Sequence, residues 1–173
     1  MRKNAAPKSS LRELTIRNLG VIDTAEIEFK SGLTVITGET GAGKTMVLTA
    51  LNLILGGKSD SDFVRSGQER LVVSGKFEIG EAITTVVEDA GGFVEDNEVI
   101  INRSVTNQGK SKISLGGAVT SATQVSEIAE ELIEIHAQAS SARLSKSAVQ
   151  LELLDAFASH ENLVVEYSEN YEK

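Results

Sequence analysis

The fold is decided by residues 33–57, LTVITGETGAGKTMVLTALNLILGG. This stretch begins as a short apolar run, passes through a glycine-rich turn and ends in an apolar run with helical spacing. Residues 33–37 are apolar on both faces, which predicts a central strand of a sheet. Residues 44–55 predict a helix that ends at Gly56 and Gly57.

The turn between the two runs has the complete pattern G-x-x-x-x-G-K-[ST] and is predicted to bind the phosphates of a nucleotide. Its glycines allow backbone N–H groups to point inward, and the following helix adds the positive end of its dipole. In this pattern the lysine reaches the β- and γ-phosphates, and the threonine hydroxyl ligates Mg²⁺. A glycine-rich turn with a coincidental lysine is the alternative. The candidate nucleotide-binding residues are Gly38, Glu39, Thr40, Gly41, Ala42, Gly43, Lys44, Thr45 and Met46.

Composition sets the broad class of this 173-residue chain, which is 40% hydrophobic and 24% charged, as expected of one globular domain. A net charge of −8 makes it a poor nonspecific DNA binder, because phosphate neutralisation needs clustered lysine and arginine. It has no cysteine and no apolar run long enough to span a membrane, which favours the cytoplasm. Residues 1–10 are basic without an apolar core and are predicted to be a disordered arm.

Periodicity predicts further elements on both sides of the loop. Residues 11–19 and 21–29 alternate apolar and polar side chains and are predicted to pair as antiparallel strands. The remaining predictions are strands at 70–79, 98–105, 110–115 and 132–136, and helices at 81–90, 121–131 and 145–158.

Polar residues at the ends of predicted strands are further candidates for the site. Gln138 follows a buried strand, where an amide oxygen could ligate Mg²⁺ or orient an attacking water, although a loop glutamine is often only solvated. His136 fits a structural hydrogen bond better than catalysis. Arg17 and Asn18 end the first strand, near the expected place of the nucleotide base.

The predicted strands at 98–105 and 110–115 are expected to form a hairpin. A small basic group is expected across it, formed by Arg103, Lys110 and Lys112. Such a group is usually a solvated face. Contact with DNA or a partner protein is the alternative.

The carboxylates of a hydrolytic P-loop site are missing from the sequence. Such ATPases place an Asp after an apolar strand for Mg²⁺, often with an adjacent Glu. The nearest match, residues 151–155 (LELLD), has a helical pattern and is followed by Ala156. The guanine-specific Asn-Lys-x-Asp motif is also absent. The sequence therefore predicts a phosphate cradle without the hydrolytic half.

An ordered series of motifs resembles the RecN family of bacterial SMC-like DNA repair ATPases. The loop is followed by LILGG and FVRSG, and then by NRSVTNQGKSK, LIEIHAQ and LLDAF. The similarity covers residues 11–158. The chain departs from the family pattern at Thr49, Gly116, Ala137 and Ala139.

The resemblance implies an α/β P-loop NTPase fold, the N-terminal lobe of an ABC/SMC-type ATPase head. Such a lobe has a mixed sheet, an antiparallel β-subdomain and flanking helices. Residues 11–158 would form the lobe, and 159–173 would begin a coiled-coil helix. Lys44 and Gln138 would be catalytic, the latter as the Q-loop residue, with Thr45 and Gln138 at the metal.

The same resemblance implies partners and an activity for the longer protein. ATP with Mg²⁺ would lie between two heads, each completed by its own C-terminal half. The full-length protein would hydrolyse ATP during DNA double-strand break repair and recombination, at the nucleoid in the cytoplasm. This segment alone would be nearly inactive. The alternatives are a stand-alone P-loop enzyme such as a small kinase, a transporter-type ATPase subunit, and a structural module that binds nucleotide to dock partners.

Overall fold

The computed structural model describes residues 9–38, 43–133 and 147–158, and single helical positions at 163, 167 and 171. The chain divides into two compact units, Met1–Glu134 and Ile135–Lys173. The first unit contains the sheet and the glycine-rich turn at 38–45, and the second unit contains Gln138. The predicted limits at 1–10, 11–158 and 159–173 stay predictions.

The first unit is built on a six-stranded sheet in the order β2-β1-β3-β4-β5-β6, in which every pairing is antiparallel. Alternation of apolar and polar residues sends one side of each strand into the core. On β1, for example, Leu14, Ile16 and Leu19 are fully buried. The strands are β1 (Ser10–Leu19), β2 (Ile22–Glu28), β3 (Arg70–Glu78), β4 (Glu98–Thr106), β5 (Ser111–Leu115) and β6 (Ala118–Thr120).

Three α-helices and one short 3₁₀ turn complete the described part of this unit. They are α1 (Lys44–Ile54), the turn at Ser61–Phe63, α2 (Glu81–Asp89) and α3 (Ala122–Leu132). Helix α1 covers the buried face of β1, β3 and β4, with Leu53 and Ile54 fully buried. Helix α3 begins with a capping box between Ser121 and Gln124.

Most of the predicted elements are confirmed to within about two residues. These include the β1–β2 pair, β3, α1, α2, α3 and the β4–β5 hairpin. Sequence periodicity missed β6 and the turn at Ser61–Phe63, which are too short to show a period. The predicted strand 132–136 begins inside α3, because Leu132 is the last residue of that helix, and residues 134–136 lie outside the described residues.

The predicted central strand at 33–37 is wrong for this structure. The segment forms no strand, and Leu33 is 92% exposed and Val35 is 69% exposed. A strand needs a neighbour for its backbone N–H and C=O groups, and no described strand of the sheet pairs with this segment. The parallel part of the predicted mixed sheet is therefore not formed by the described residues.

The described part of the second unit is helical. Helix α4 (Ser147–Ala158) confirms the predicted helix at 145–158 over its described residues. The apolar side chains of Leu151, Leu154 and Phe157 are all exposed. Farther along, the rings of Tyr167 and Tyr171 stack with centroids 5.9 Å apart.

Candidate nucleotide-binding site

The start of α1 provides the setting for an anion. Gly43 stands immediately before the helix with φ of 99°, a left-handed conformation that glycine adopts without strain. No side chain caps this end of α1, and its first turn holds no acidic residue. The uncapped N-terminus of an 11-residue helix offers N–H groups and a positive dipole end to a negatively charged group.

Lys44 is the first residue of α1, and its ammonium group reaches back across the loop. Its Nζ donates a hydrogen bond to the carbonyl oxygen of Gly38. The ammonium therefore lies between the two ends of the glycine-rich turn, where the pattern places the β- and γ-phosphates. The side chain that would neutralise phosphate charge is thus held at the open end of the helix.

The β1–β2 turn forms one wall of the site. A Cβ atom added to Gly43 would lie 3.5 Å from Cγ1 of Ile22 and 3.9 Å from Cγ2 of Val21, so the turn touches the helix start. Gly20 packs closely against Met46, since a Cβ there would come within 2.6 Å of its Sδ. The wall next to the phosphate loop is therefore apolar, with Val21 exposed to solvent.

Arg65 fastens this wall to the segment that follows α1. Its Nη1 donates to the carbonyl oxygen of Val21 at 2.7 Å, and the Gly20 N–H donates to the Phe63 carbonyl at 2.8 Å. No local pattern in the sequence signals this role, because Arg65 and Val21 are 44 positions apart. Arg65 is a positioning residue that the sequence reasoning missed.

Arg17 and Asn18 lie at the end of β1, beside the same turn. Arg17 is exposed and pairs in register with Thr24 and Val72. The Asn18 side chain is engaged within the fold, since its Nδ2 donates to the Arg70 carbonyl at 3.1 Å. Their contact with a nucleotide stays a prediction.

Thr45 supplies the hydroxyl that the pattern assigns to Mg²⁺. It lies in the first turn of α1, one residue after Lys44. Across the part of the chain that the structure describes, no group of three or more His, Cys, Asp or Glu residues could hold a metal ion. The donor set fits Mg²⁺ bound by one hydroxyl and the oxygens of a nucleotide, because Mg²⁺ usually combines few protein ligands with phosphates and water.

The remaining candidate site residues lie outside the described residues. They are Glu39, Thr40, Gly41 and Ala42 within the loop, and Gln138 with its neighbour His136. Their roles stay as the sequence predicts them.

The predicted basic cluster of Arg103, Lys110 and Lys112 is wrong, because Arg103 does not share a surface with the two lysines. Lys110 and Lys112 are exposed, but Arg103 is buried on the core side of β4. Arg103 pairs in register with Ile113, whereas Lys112 pairs with Ser104, and neighbouring positions of a strand face opposite sides. The alternation of β4 between Val99 and Val105 carried this information in the sequence.

Comparisons with known proteins agree with the fold and the loop. The family profile described as "AAA domain" matches residues 13–173. The DNA repair protein RecN of Streptomyces coelicolor is 42% identical over 147 residues, which are 84% of this chain and 26% of that protein. RecN of Bacillus subtilis is 35% identical over 167 residues, 94% of this chain and 29% of that protein.

A solved SMC ATPase structure has the same fold, with a TM-score of 0.60 at 23% identity. The match covers 83% of this chain and 96% of that one, and the description of that structure concerns ATP-driven dimerisation and DNA-stimulated activation of SMC ATPases. Fold and loop together define the N-terminal lobe of a P-loop ATPase head.

The chain belongs to the AAA-domain family, and within it to the RecN-like proteins of the SMC group. It spans less than a third of the length of these two curated relatives. None of the helices in the described ranges is long and apolar enough to cross a membrane.

Proposed function

We propose that this chain is the ATP-binding segment of a RecN-like head that acts in DNA double-strand break repair and recombination. The observation that carries the proposal is the start of α1, where Gly43 leaves the helix uncapped and Lys44 reaches across the loop to Gly38. This arrangement suits the triphosphate of ATP, because backbone N–H groups, a helix dipole and one ammonium converge on the same place.

Each residue of the site has a separate task in this proposal. Lys44 binds the β- and γ-phosphates, and Thr45 holds Mg²⁺ against their oxygens. Val21 and Ile22 offer an apolar surface next to the loop. Gln138 senses the γ-phosphate and contributes to the metal site.

Hydrolysis in this proposal requires parts that the segment does not supply. The carboxylates that bind Mg²⁺ and polarise water would come from the remainder of the same head, and a second head would close over the ATP. The SMC relative described by ATP-driven dimerisation supports such an arrangement. DNA is engaged by the assembled protein, which works at the nucleoid in the cytoplasm.

Calorimetric titration with MgATP tests the phosphate site. We expect Lys44→Ala to weaken binding about 10- to 100-fold, because it removes charge-assisted hydrogen bonds worth about 1.5–3 kcal/mol. Lys112→Ala is the matched control, since this exposed lysine on β5 should leave affinity unchanged. Equal affinities of the Lys44 variant and the parent chain would refute the site.

Turnover measurements test whether hydrolysis requires the remainder of the head. The purified segment should bind MgATP but release almost no phosphate, since the water-activating carboxylate is missing from it. Adding the remainder of a RecN-like head should restore hydrolysis. Turnover at about 1 s⁻¹ by the segment alone, within the ordinary range of enzymes, would contradict the proposal.

A further inference from the structure

Arg103 is the one charged residue buried in the described core. It lies on β4 with Ile101 and Val105 on the same face, and only 5% of it is exposed. Its strand neighbours in register are Val73 and Ile113, both apolar. A guanidinium in such surroundings calls for a partner, because burying a charge is costly unless it is paired and hydrogen-bonded.

The bonding of this guanidinium is incomplete. Nη2 donates to the Ser59 hydroxyl at 3.3 Å, which is long for a charged donor. Nε and Nη1 are buried and have no hydrogen-bond partner among the residues that the structure describes. No carboxylate in the described ranges forms an ion pair with Arg103, and burial lowers the pKa of its guanidinium. A structural role in the core would normally satisfy these donors.

We propose that Arg103 and Ser59 form a binding site for a phosphoryl oxyanion, separate from the loop at 38–45. A tetrahedral oxyanion matches the guanidinium, which presents two pairs of nitrogens to an acceptor. The pair Nε–Nη2 and the pair Nη1–Nη2 each contain one nitrogen without a partner. An oxyanion taking the place of the serine hydroxyl supplies both the charge and the acceptors that are missing.

Ser59 defines the entrance. It is half-buried, follows Lys58, and lies five residues beyond the end of α1. Binding of an oxyanion requires the Ser59 side chain to turn away from Nη2, which is a change between staggered rotamers. Ser59 follows the C-terminal end of α1 in the chain, whereas the candidate nucleotide loop precedes its N-terminal end, so the two sites use different residues.

Thermal unfolding with inorganic phosphate tests the site in a Lys44→Ala background, which removes the main phosphate ligand of the nucleotide loop. At ten times the dissociation constant, phosphate should raise Tm by about 3–6 °C. Potassium chloride at equal ionic strength should not. Arg103→Met should abolish the rise, whereas Arg70→Met, at the same end of the sheet but exposed, should retain it. An equal rise in both variants overturns the proposal.

Ser59→Asp provides a second test that leaves the core unchanged. The new carboxylate should form an ion pair with the Arg103 guanidinium. It should therefore raise Tm without phosphate and abolish the rise in Tm that phosphate causes. A variant that keeps the full response overturns the proposal, even if Arg103→Met fails to fold.

A short single-stranded oligonucleotide titrated under the same conditions distinguishes the source of the phosphoryl group. A rise in Tm that depends on Arg103 assigns the site to nucleic-acid phosphodiesters. A response to inorganic phosphate alone assigns it to the free ion.

Discussion

The β4–β5 hairpin and the segment at 33–38 both contain valine and isoleucine but have opposite structures. The hairpin strands pair over five residues from Ile101 to Val105, and their inward side chains are buried. In the segment at 33–38, every residue is exposed and none belongs to a strand. The two regions differ in where a hydrogen-bonding partner strand comes from. For β4 the partner is β5, a few residues further along the chain. For the segment at 33–38, no described strand serves as a partner.

This contrast separates two kinds of information in a sequence. A hairpin brings its own partner, because a turn of a few residues fixes both pairing and register. A central strand depends on neighbours supplied from elsewhere in the protein. Apolar character alone predicts burial, but it does not say whether the covering element is present.

Leucine truncations should give the largest contrast between the two regions. Leu53→Ala in α1 should reduce the free energy of unfolding by about 2–5 kcal/mol, because this fully buried side chain leaves a cavity. Leu33→Ala should change it by less than about 0.5 kcal/mol, because Leu33 is exposed to solvent. Urea denaturation followed by circular dichroism measures both.

The two leucine variants control for each other, since both lose the same atoms. If Leu33→Ala proves as damaging as Leu53→Ala, the segment at 33–38 is buried in solution and the contrast fails. If the difference survives, packing and not composition separates the regions.

The sequence predicted most strands of the sheet, because four of its five pairings join strands that follow one another in the chain. The turn at 107–109 joins β4 to β5, and the alternation of apolar and polar residues is enough to identify both strands. The short pattern also predicted that Gly43 and Lys44 stand at the start of a helix, while their role in binding nucleotide stays a prediction. The sequence could not predict the Arg65 contact with Val21, since this contact depends on packing between distant segments. The burial of Arg103, by contrast, follows from the alternation of β4, which the interpretation as a basic cluster overlooked.

Two glycines with similar backbone angles should give an intermediate effect. Gly56 and Gly67 have φ of 86° and 82°, so alanine is strained by the left-handed conformation at both. At Gly56 a Cβ would also lie 2.4 Å from the Ala122 carbonyl oxygen and 2.8 Å from the Ser126 nitrogen, whereas nothing lies within 4 Å at Gly67. Gly56→Ala should cost about 3 kcal/mol and Gly67→Ala about 1 kcal/mol.

Urea denaturation of the two glycine variants measures how tightly the end of α1 packs against α3. Equal losses would show that backbone conformation alone sets the cost. A larger loss at Gly56 would show that the helices in the sheet unit are fitted to each other, unlike the segment at 33–38.

The smallest expected effect is the pH dependence of an ion pair on the exposed side of the sheet. Lys76 on β3 bonds to Glu98 on β4, with Nζ and Oε2 2.5 Å apart. That hydrogen bond is the main cause that raises the pKa of the Lys76 ammonium, and the charges of Glu98, Glu13 and Asp96 act in the same direction. Because the folded pKa lies above that of an unfolded lysine, about 10.4, the contribution is complete below that pH. It is lost as the pH rises through the folded pKa.

The difference in Tm between the parent chain and Lys76→Met should therefore be constant from about pH 7 to 9 and shrink between about pH 10 and 12. Lys112→Met is the control, since this exposed lysine forms no ion pair within the described ranges. Added salt should reduce the Lys76 effect at about pH 8, because solvent-exposed charges are screened. A Tm difference that stays constant to about pH 12 would show that the Lys76 side chain stabilises the sheet by packing and not by its charge. The exposed face of the sheet would then be stabilised without this ion pair.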